Sequence, residues 1–225
     1  MYQKTTIDNG LRVLTANMPY TRTVCIGILI GVGSRYEAEQ EAGISHFIEH
    51  LLFRGTQKRT TAKQISETIE GVGGILNGGT DKELTVYWCK VAQPHFPIAL
   101  DVLTDILLHS KFDPADIAKE RQIIVEEINM SKDSPAQHVE MLIDELLWPH
   151  HPLGRDTAGN KESVSAITRD MMLEYLAHHY LPNNTVIGVA GDINHSEVVD
   201  AIQGKLGKWL DGVSGTWFPA DDGQD

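Results

Sequence analysis

Hydrophobic and polar residues alternate over several short stretches of this chain, and a period of two residues predicts β-strands. Residues 3–8 and 11–17 are such stretches, and they flank Asn9-Gly10, a pair typical of tight hairpin turns. Residues 22–32 are almost continuously apolar, which favours a strand in the middle of a sheet. The same patterns predict three more strands, over residues 75–80, 84–91 and 184–191.

Other stretches repeat their apolar residues every three or four positions, which predicts helices. Asp113-Pro114, and Thr61 followed by Gln64, have the composition of helix N-termini, and Gly55 is predicted to cap the end of the first helix. The predicted helices cover residues 43–54, the segment from Thr61 to the glycines of 71–74, and residues 95–109, 114–132, 135–148, 168–180 and 195–210. Because helices and hairpin strands intermingle, we expect an α+β fold, with a mainly antiparallel sheet of about six strands packed against helices.

The first predicted helix contains the string His46-Phe-Ile-Glu49-His50. His46 and His50 lie one turn apart on the same helix face, so both imidazoles can bind one metal ion. Glu49 lies about 100° around the helix from His50, where its carboxylate can act on a water beside the metal without being a ligand. The alternative is a pair of core histidines, but burying three polar side chains together is costly unless they share a partner. The string therefore predicts a metal site of the inverzincin type.

A catalytic zinc site needs a third protein ligand. On the helix predicted over residues 114–132, Glu120 and Glu127 are seven residues apart and lie on one line, about 60–80° from the apolar stripe. Glu126 lies about 180° from that stripe and is expected to face solvent. Two half-buried carboxylates require a cation, which a metal would supply, although ion pairs with basic neighbours are an alternative. The spacing leaves both Glu120 and Glu127 as candidates.

Two pairs of neighbouring histidines are rival candidates for metal binding. They are His150-His151 and His178-His179. Adjacent residues point about 100° apart on a helix, so such pairs chelate a metal less well than histidines four residues apart. We expect them to have surface or structural roles.

Composition limits the classes of partner. The 225 residues carry 31 acidic against 19 basic side chains, a net charge of −12, and 41% of them are hydrophobic. The apolar fraction allows a real core, whereas the negative charge argues against nucleic acid and against an anionic membrane surface. The acidic run at residues 37–41 is expected to be a solvated loop between the third strand and the first helix.

The chain shows no secretory signal at its N-terminus and no apolar run near the ~20 residues of a membrane span. Cys25 and Cys89 lie in strand-like runs, where buried reduced thiols are expected. These features favour a soluble, cytoplasmic protein without a membrane segment. We expect one domain over residues 1–212, followed by a disordered tail or linker over residues 213–225, because that end has no periodicity.

The metal string and the Leu-Leu-Phe-Arg-Gly-Thr that follows it resemble the pitrilysin family of zinc metallopeptidases, peptidase family M16. This family includes the mitochondrial processing peptidases and insulin-degrading enzyme. Three later blocks also match, His151-Pro-Leu-Gly-Arg155, Tyr180-Leu-Pro-Asn-Asn184 and Gly191-Asp192. The resemblance spans nearly all of the chain. It is to the N-terminal metal-binding domain of beta-type processing subunits and bacterial processing proteases, which have the LuxS/processing-peptidase-like metallohydrolase fold.

The resemblance implies specific roles for residues of this chain. It implies one Zn²⁺ per domain, Glu49 as the catalytic base, and Glu120 as a residue that orients a ligand. The implied metal ligands are His46, His50 and Glu127. It also implies that a peptide substrate pairs with the strand at residues 75–80, through Asn77, Gly78, Gly79 and Thr80. The family usually has Ala at position 78, so a slightly looser edge is expected here.

The implied function is that of a zinc metalloendopeptidase acting on extended oligopeptides or presequences. Family enzymes close their active site with a second homologous half, either a C-terminal domain or a partner subunit, which contributes an Arg and a Tyr; a homo-oligomer is also possible. The isolated chain is therefore expected to be weakly active or inactive. One alternative is a non-catalytic scaffold subunit, but such relatives have typically lost part of the metal motif. Another is a structural zinc site, which would need a fourth protein ligand nearby.

Overall fold

The computed structural model describes residues 2–219 and contains one six-stranded sheet flanked by helices. The strands are β1 (Gln3–Thr6), β2 (Arg12–Asn17), β3 (Thr23–Ile30), β4 (Ile75–Thr80), β5 (Thr85–Ala92) and β6 (Thr185–Gly191). The helices are α1 (Ile44–Leu52), α2 (Ala62–Glu70), α3 (Phe96–His109), α4 (Pro114–Asp133), α5 (Pro135–Leu147), α6 (Lys161–Ala166), α7 (Arg169–His179) and α8 (His195–Leu206). None of these described helices is both long and apolar enough to cross a membrane.

The sheet has the order β1-β2-β6-β3-β5-β4, so β1 and β4 are its edges. Four neighbouring pairs are antiparallel and one, β2 with β6, is parallel. The predicted α+β fold with a mainly antiparallel six-stranded sheet is confirmed. The parallel pair joins strands from opposite ends of the chain, and no local pattern in the sequence indicates it.

One face of the sheet forms the core with the helices. In β3 every second residue, from Val24 to Ile30, is fully buried, and the residues between them are more exposed. The buried face packs against helices that include α1, whose Phe47, Ile48 and Leu51 belong to the same apolar cluster. Since alternate strand residues point to opposite faces, this pattern fixes the register of β3.

The two cysteines lie on neighbouring strands, and neither forms a disulfide. Cys89 is buried, as expected from its apolar surroundings. Cys25 is exposed, so the expectation that both thiols are buried is wrong. The reason is register, because Cys25 lies on the face of β3 opposite the core.

The helix N-termini follow their predicted signals closely. Pro114 is the first residue of α4, and the Asp113 carboxylate accepts the Ala115 N–H at 2.9 Å. The Thr61 hydroxyl accepts the Gln64 N–H at 3.2 Å. The Gln64 side chain, however, accepts from the Thr60 N–H rather than from Thr61, so the predicted reciprocal capping box is only half formed.

The ends of the helices depart further from prediction. The last turn of α1 closes at Phe53 and Arg54, whose N–H groups donate to the His50 and Leu51 carbonyls at 3.3 and 3.0 Å, so Gly55 does not cap it. Gly55 has φ +156°, and a Cβ there would lie 2.7 Å from the Thr60 carbonyl oxygen. The glycine is therefore required by a close approach of two backbone segments beyond the helix. Helix α8 ends at Leu206, before the predicted residue 210, and α6 was not predicted.

The segment that follows α8 has no helix or strand within the described residues, yet it contacts the domain. The Asn183 side chain donates to the Gly212 carbonyl at 2.7 Å, and Arg35 Nε donates to the Phe218 carbonyl at 3.2 Å. The Trp217 ring meets Tyr36 edge-on at 6.0 Å. The predicted boundary at residue 212 stays a prediction, and residues 220–225 of the predicted tail lie outside the described residues.

Candidate metal centre

Three predicted ligands converge between α1 and α4. The Nε2 atoms of His46 and His50 are 3.2 Å apart. The Glu127 Oε2 atom lies 3.9 Å from His46 Nε2 and 3.6 Å from His50 Nε2. Among the described residues, these three side chains are the only group of His, Cys, Asp and Glu that could hold a metal ion.

The spacing of these atoms fits a tetrahedral metal. Ligand atoms about 2.1 Å from a tetrahedral zinc lie about 3.4 Å from one another, and the observed separations, from 3.2 to 3.9 Å, bracket that value. Two imidazoles and one carboxylate are also a donor set found in catalytic zinc sites. The Glu127 side chain is 42% exposed, so the site is open to solvent on that side.

Burial keeps the His46 imidazole neutral. Desolvation, helped by the neighbouring His50, lowers the pKa of His46 to about 4. A neutral imidazole is the form that binds a metal. The buried Nδ1 atom of His46 has no hydrogen-bond partner within the described structure.

The buried carboxylate of Glu120 holds the His50 ring through the nitrogen on the side away from Glu127. Its Nδ1 atom lies 3.2 Å from Glu120 Oε2, so an Nδ1–H can donate to the carboxylate and leave Nε2 as the ligand atom. Glu120 is fully buried, although the sequence predicted only half burial for it and for Glu127. Glu126 is exposed, as its position on α4 predicted. Arg54 also donates to Glu120, a contact that no local pattern in the sequence indicates.

Glu49 lies between the metal ligands and the sheet. Burial raises the pKa of Glu49, and the hydrogen bond that its Oε2 accepts from Thr80 at 2.8 Å opposes this shift. At Gly78, a Cβ would lie 2.9 Å from the Phe53 ring and 3.2 Å from Glu49 Cγ. The absence of a side chain there lets β4 approach α1 closely.

Strand β4 presents a free edge beside this site. It pairs with β5 on one side only, within the sheet that the structure describes. The Gly78 N–H donates to the Asn77 side-chain oxygen at 2.8 Å, so this amide points away from β5 and toward the open edge. The four residues predicted to bind substrate, Asn77 to Thr80, thus all belong to the edge strand nearest Glu49.

The rival histidine pairs lie elsewhere. His151 Nδ1 accepts the Leu153 N–H at 3.1 Å, where it caps a short turn. The His179 ring packs on Tyr175 at 4.3 Å between centroids. None of the four histidines belongs to the metal group found among the described residues.

Glu37 anchors the helix that carries the ligands. It is only 1% exposed, and its two carboxylate oxygens accept the N–H groups of Gly43 at 2.8 Å and of Ser45 at 2.9 Å. The Ser45 hydroxyl lies 2.9 Å from the Tyr175 hydroxyl. The expectation that the acidic run 37–41 is merely solvated is therefore wrong for Glu37. Glu37, the first residue of that run, folds back and accepts hydrogen bonds from free N–H groups at the N-terminus of α1. No local sequence pattern indicates this arrangement.

This anchor gives a prediction about pH and stability. Burial raises the pKa of Glu37 from 4.5 to about 7, against the effect of the backbone N–H groups. The folded state then holds a proton more tightly than the unfolded state, so stability is lost as pH rises from about 4.5 to 7. Relative to Glu37→Gln, which cannot titrate, the free energy of unfolding of the wild type should fall over that range. Urea titrations of the metal-free proteins measure this, and parallel pH curves would contradict it.

The sequence of this chain matches known peptidases over most of its length. A family profile described as "Insulinase (Peptidase family M16)" matches residues 12–161, and one described as "Peptidase M16 inactive domain" matches residues 166–221. The zinc protease YmxG of Bacillus subtilis is 39% identical over 200 residues, which make up 89% of this chain and 49% of that protein. An Arabidopsis thaliana protein that carries the name mitochondrial-processing peptidase subunit beta is 39% identical over 202 residues, 88% of this chain and 37% of that one.

The fold comparison agrees with the sequence comparison. The crystal structure of a protease from Helicobacter pylori superposes with a TM-score of 0.90 at 22% identity, and the match covers 97% of this chain and 53% of that chain. At this identity the likeness concerns the fold alone. The chain spans about half the length, or less, of the relatives that it matches.

Proposed function

The chain belongs to the insulinase family of peptidases, M16, and on this premise we propose that it is the zinc-binding half of a metalloendopeptidase. Its substrates would be extended oligopeptides or presequences. The observation that carries the proposal is the convergence of His46, His50 and Glu127 beside Glu49, at the free edge of β4. The intact ligand set disfavours the alternative, a non-catalytic scaffold subunit.

Each residue of the centre has a chemical task in this proposal. His46, His50 and Glu127 would hold the zinc, which when bound would lower the pKa of a water molecule and polarise a peptide carbonyl. Glu49 takes the proton of the attacking water and passes it to the leaving amine. Burial brings the pKa of Glu49 closer to neutrality, which suits both transfers. The Thr80 hydroxyl holds Oε2 of Glu49 and leaves Oε1 free for the proton.

The substrate would bind as an additional strand on β4. An extended peptide can pair with an exposed sheet edge through its main-chain hydrogen bonds, which are the same for any side chain. The outward N–H of Gly78 is a donor for such a peptide, once the Asn77 side chain releases it. This pairing would bring a peptide bond alongside the open face of the metal site.

A second homologous half, as a further domain or a partner subunit, would close the site. Two observations support this part of the proposal. The relatives are about twice as long as this chain or longer. Helix α5, which follows the α4 helix of Glu127, has no buried residue and exposes five large apolar side chains, Val139, Leu142, Ile143, Leu146 and Leu147. Apolar faces of this kind mark interaction surfaces in soluble proteins. A cytoplasmic location stays a prediction.

An assay with an internally quenched peptide tests the function. The zinc-loaded chain is mixed with a separately produced second half, and cleavage is followed with and without a zinc chelator. We expect cleavage that needs both halves and is lost on chelation. Peptides N-methylated at successive amides add a test of strand pairing, because alternate positions should lose cleavage with a period of two residues. A pair of halves that binds zinc stoichiometrically but cleaves no peptide would favour the scaffold alternative.

A further inference from the structure

Three side chains of the α1 segment face two carboxylates of α4. His46, His50 and Arg54 follow one another at intervals of four residues, although α1 itself ends at Leu52. The chain keeps its helical course as far as Arg54, whose N–H donates to the Leu51 carbonyl at 3.0 Å. On α4 the carboxylates are Glu120 and Glu127, seven residues apart. Arg54 therefore belongs to the same row of side chains as the two histidine ligands.

At the Arg54 end of this row, Arg54 and Glu120 form an ion pair in which the carboxylate is fully buried. Glu120 Oε2 lies 2.7 Å from Arg54 Nη2 and 3.2 Å from His50 Nδ1. Glu120 is fully buried, and the Arg54 side chain is 30% exposed. Among the described residues, Arg54 is the only Lys or Arg within ion-pair distance of Glu120. A carboxylate buried in this way requires a charged partner, and Arg54 supplies it without any metal.

Within residues 2–219, no other hydrogen bond or ion pair holds the Glu120 carboxylate in place. Its second oxygen, Oε1, is buried without a hydrogen-bond partner in the described structure, and so is Arg54 Nε. The orientation of the carboxylate is therefore set by Arg54 on one side and by His50 on the other. If Arg54 is removed, His50 is the only remaining partner of the Glu120 carboxylate, although that carboxylate is what orients the His50 ring.

We propose that Arg54 is a positioning residue of the metal centre, which fixes the Glu120 carboxylate so that it accepts from His50 Nδ1–H and directs His50 Nε2 toward the ligand position. The proposal rests on the proposed zinc site, because it assumes that His50 binds through Nε2. Arg54 itself touches neither metal nor substrate in this arrangement. Substitution of a residue that orients a metal ligand without binding the metal typically lowers metal affinity by about 10–100-fold.

Two substitutions of Arg54 and one matched control test the proposal. Arg54→Met keeps the length of the side chain and removes its charge and donors, whereas Arg54→Lys keeps the charge. Lys119→Met is the control. Lys119 is an exposed cation that precedes Glu120 in the sequence but makes no ion pair with it. The measurements are the zinc dissociation constant, by competition with a chelator, and the tautomer of His50 in the zinc-free protein, by ¹⁵N NMR of the imidazole.

We expect Arg54→Met to weaken zinc binding about 10–100-fold and to mix the two His50 tautomers. Arg54→Lys should recover most of the affinity, and Lys119→Met should match the wild type. Wild-type affinity together with an unchanged tautomer in Arg54→Met would overturn the proposal. If Arg54→Met does not fold, Arg54→Gln, which keeps a neutral donor, takes its place with the same expectation. The tautomer is measured without zinc, so it tests Arg54 even if the wild type binds no zinc and the proposed function fails.

Discussion

Replacing Glu49 with Gln should lower kcat by about 10²–10⁴-fold and leave zinc content unchanged, because the variant loses the proposed proton acceptor but none of the proposed ligands. Gln keeps the size of the side chain and can still accept from the Thr80 hydroxyl through its amide oxygen. The fold around β4 and α1 should therefore persist. The measurement is steady-state cleavage of a quenched peptide by the assembled halves, combined with elemental analysis of the purified chain.

The control for this variant is Glu126→Gln, which changes an exposed carboxylate on α4 in the same chemical way. It should retain wild-type turnover and zinc. Near wild-type turnover in Glu49→Gln would show that another group moves the proton. Loss of zinc from Glu49→Gln would instead mean that Glu49 contributes to metal binding, contrary to the role assigned here.

Truncating Glu127 to Ala should remove one of the three proposed ligands. Zinc affinity should therefore fall by more than the roughly 100-fold expected when a residue that only orients a ligand is lost. The Glu127 carboxylate is also the only ligand that comes from α4, so the site would be reduced to two imidazoles on one helix. Competition with a chelator measures the dissociation constant, and turnover should fall in parallel with occupancy.

Glu126→Ala is the matched control, since it truncates the neighbouring residue of the same helix at an exposed position. It separates the loss of a ligand from any general effect of removing a negative charge from α4. Equal zinc affinity in Glu127→Ala and the wild type would rule out Glu127 as a ligand. The pair His46 and His50 would then need a different third partner.

Periodicity was sufficient to predict part of this centre. The helical repeat alone places Glu126 farthest from the apolar stripe of α4, and it is exposed, but the repeat does not distinguish Glu120, which is fully buried, from Glu127, whose side chain is 42% exposed. The spacing of His46 and His50 likewise determines that their rings share a face. Both inferences succeed because a helix has a fixed geometry whatever it packs against.

The contacts that support the centre could not be predicted in this way. Glu37 reaches the N-terminus of α1 from a loop, and Arg54 reaches Glu120 on another helix, so each depends on how separate segments pack. In the sequence, Glu37 belongs to an acidic run and Arg54 follows an apolar segment, and neither pattern indicates burial. Residues that support a site from a distance have no characteristic spacing, because tertiary packing alone brings them to it.

The free edge of β4 has a consequence for the solution behaviour of the protein. Unpaired strand edges invite pairing between copies of a chain, which leads to aggregation. The Gly78 amide, which points to that edge, is already hydrogen-bonded to Asn77 within its own strand. This internal bond occupies a donor that a neighbouring chain would otherwise use. Asn77 thus protects the edge that the proposed substrate would use. A side chain at position 77 that cannot accept this bond should make the protein more prone to self-association at high concentration.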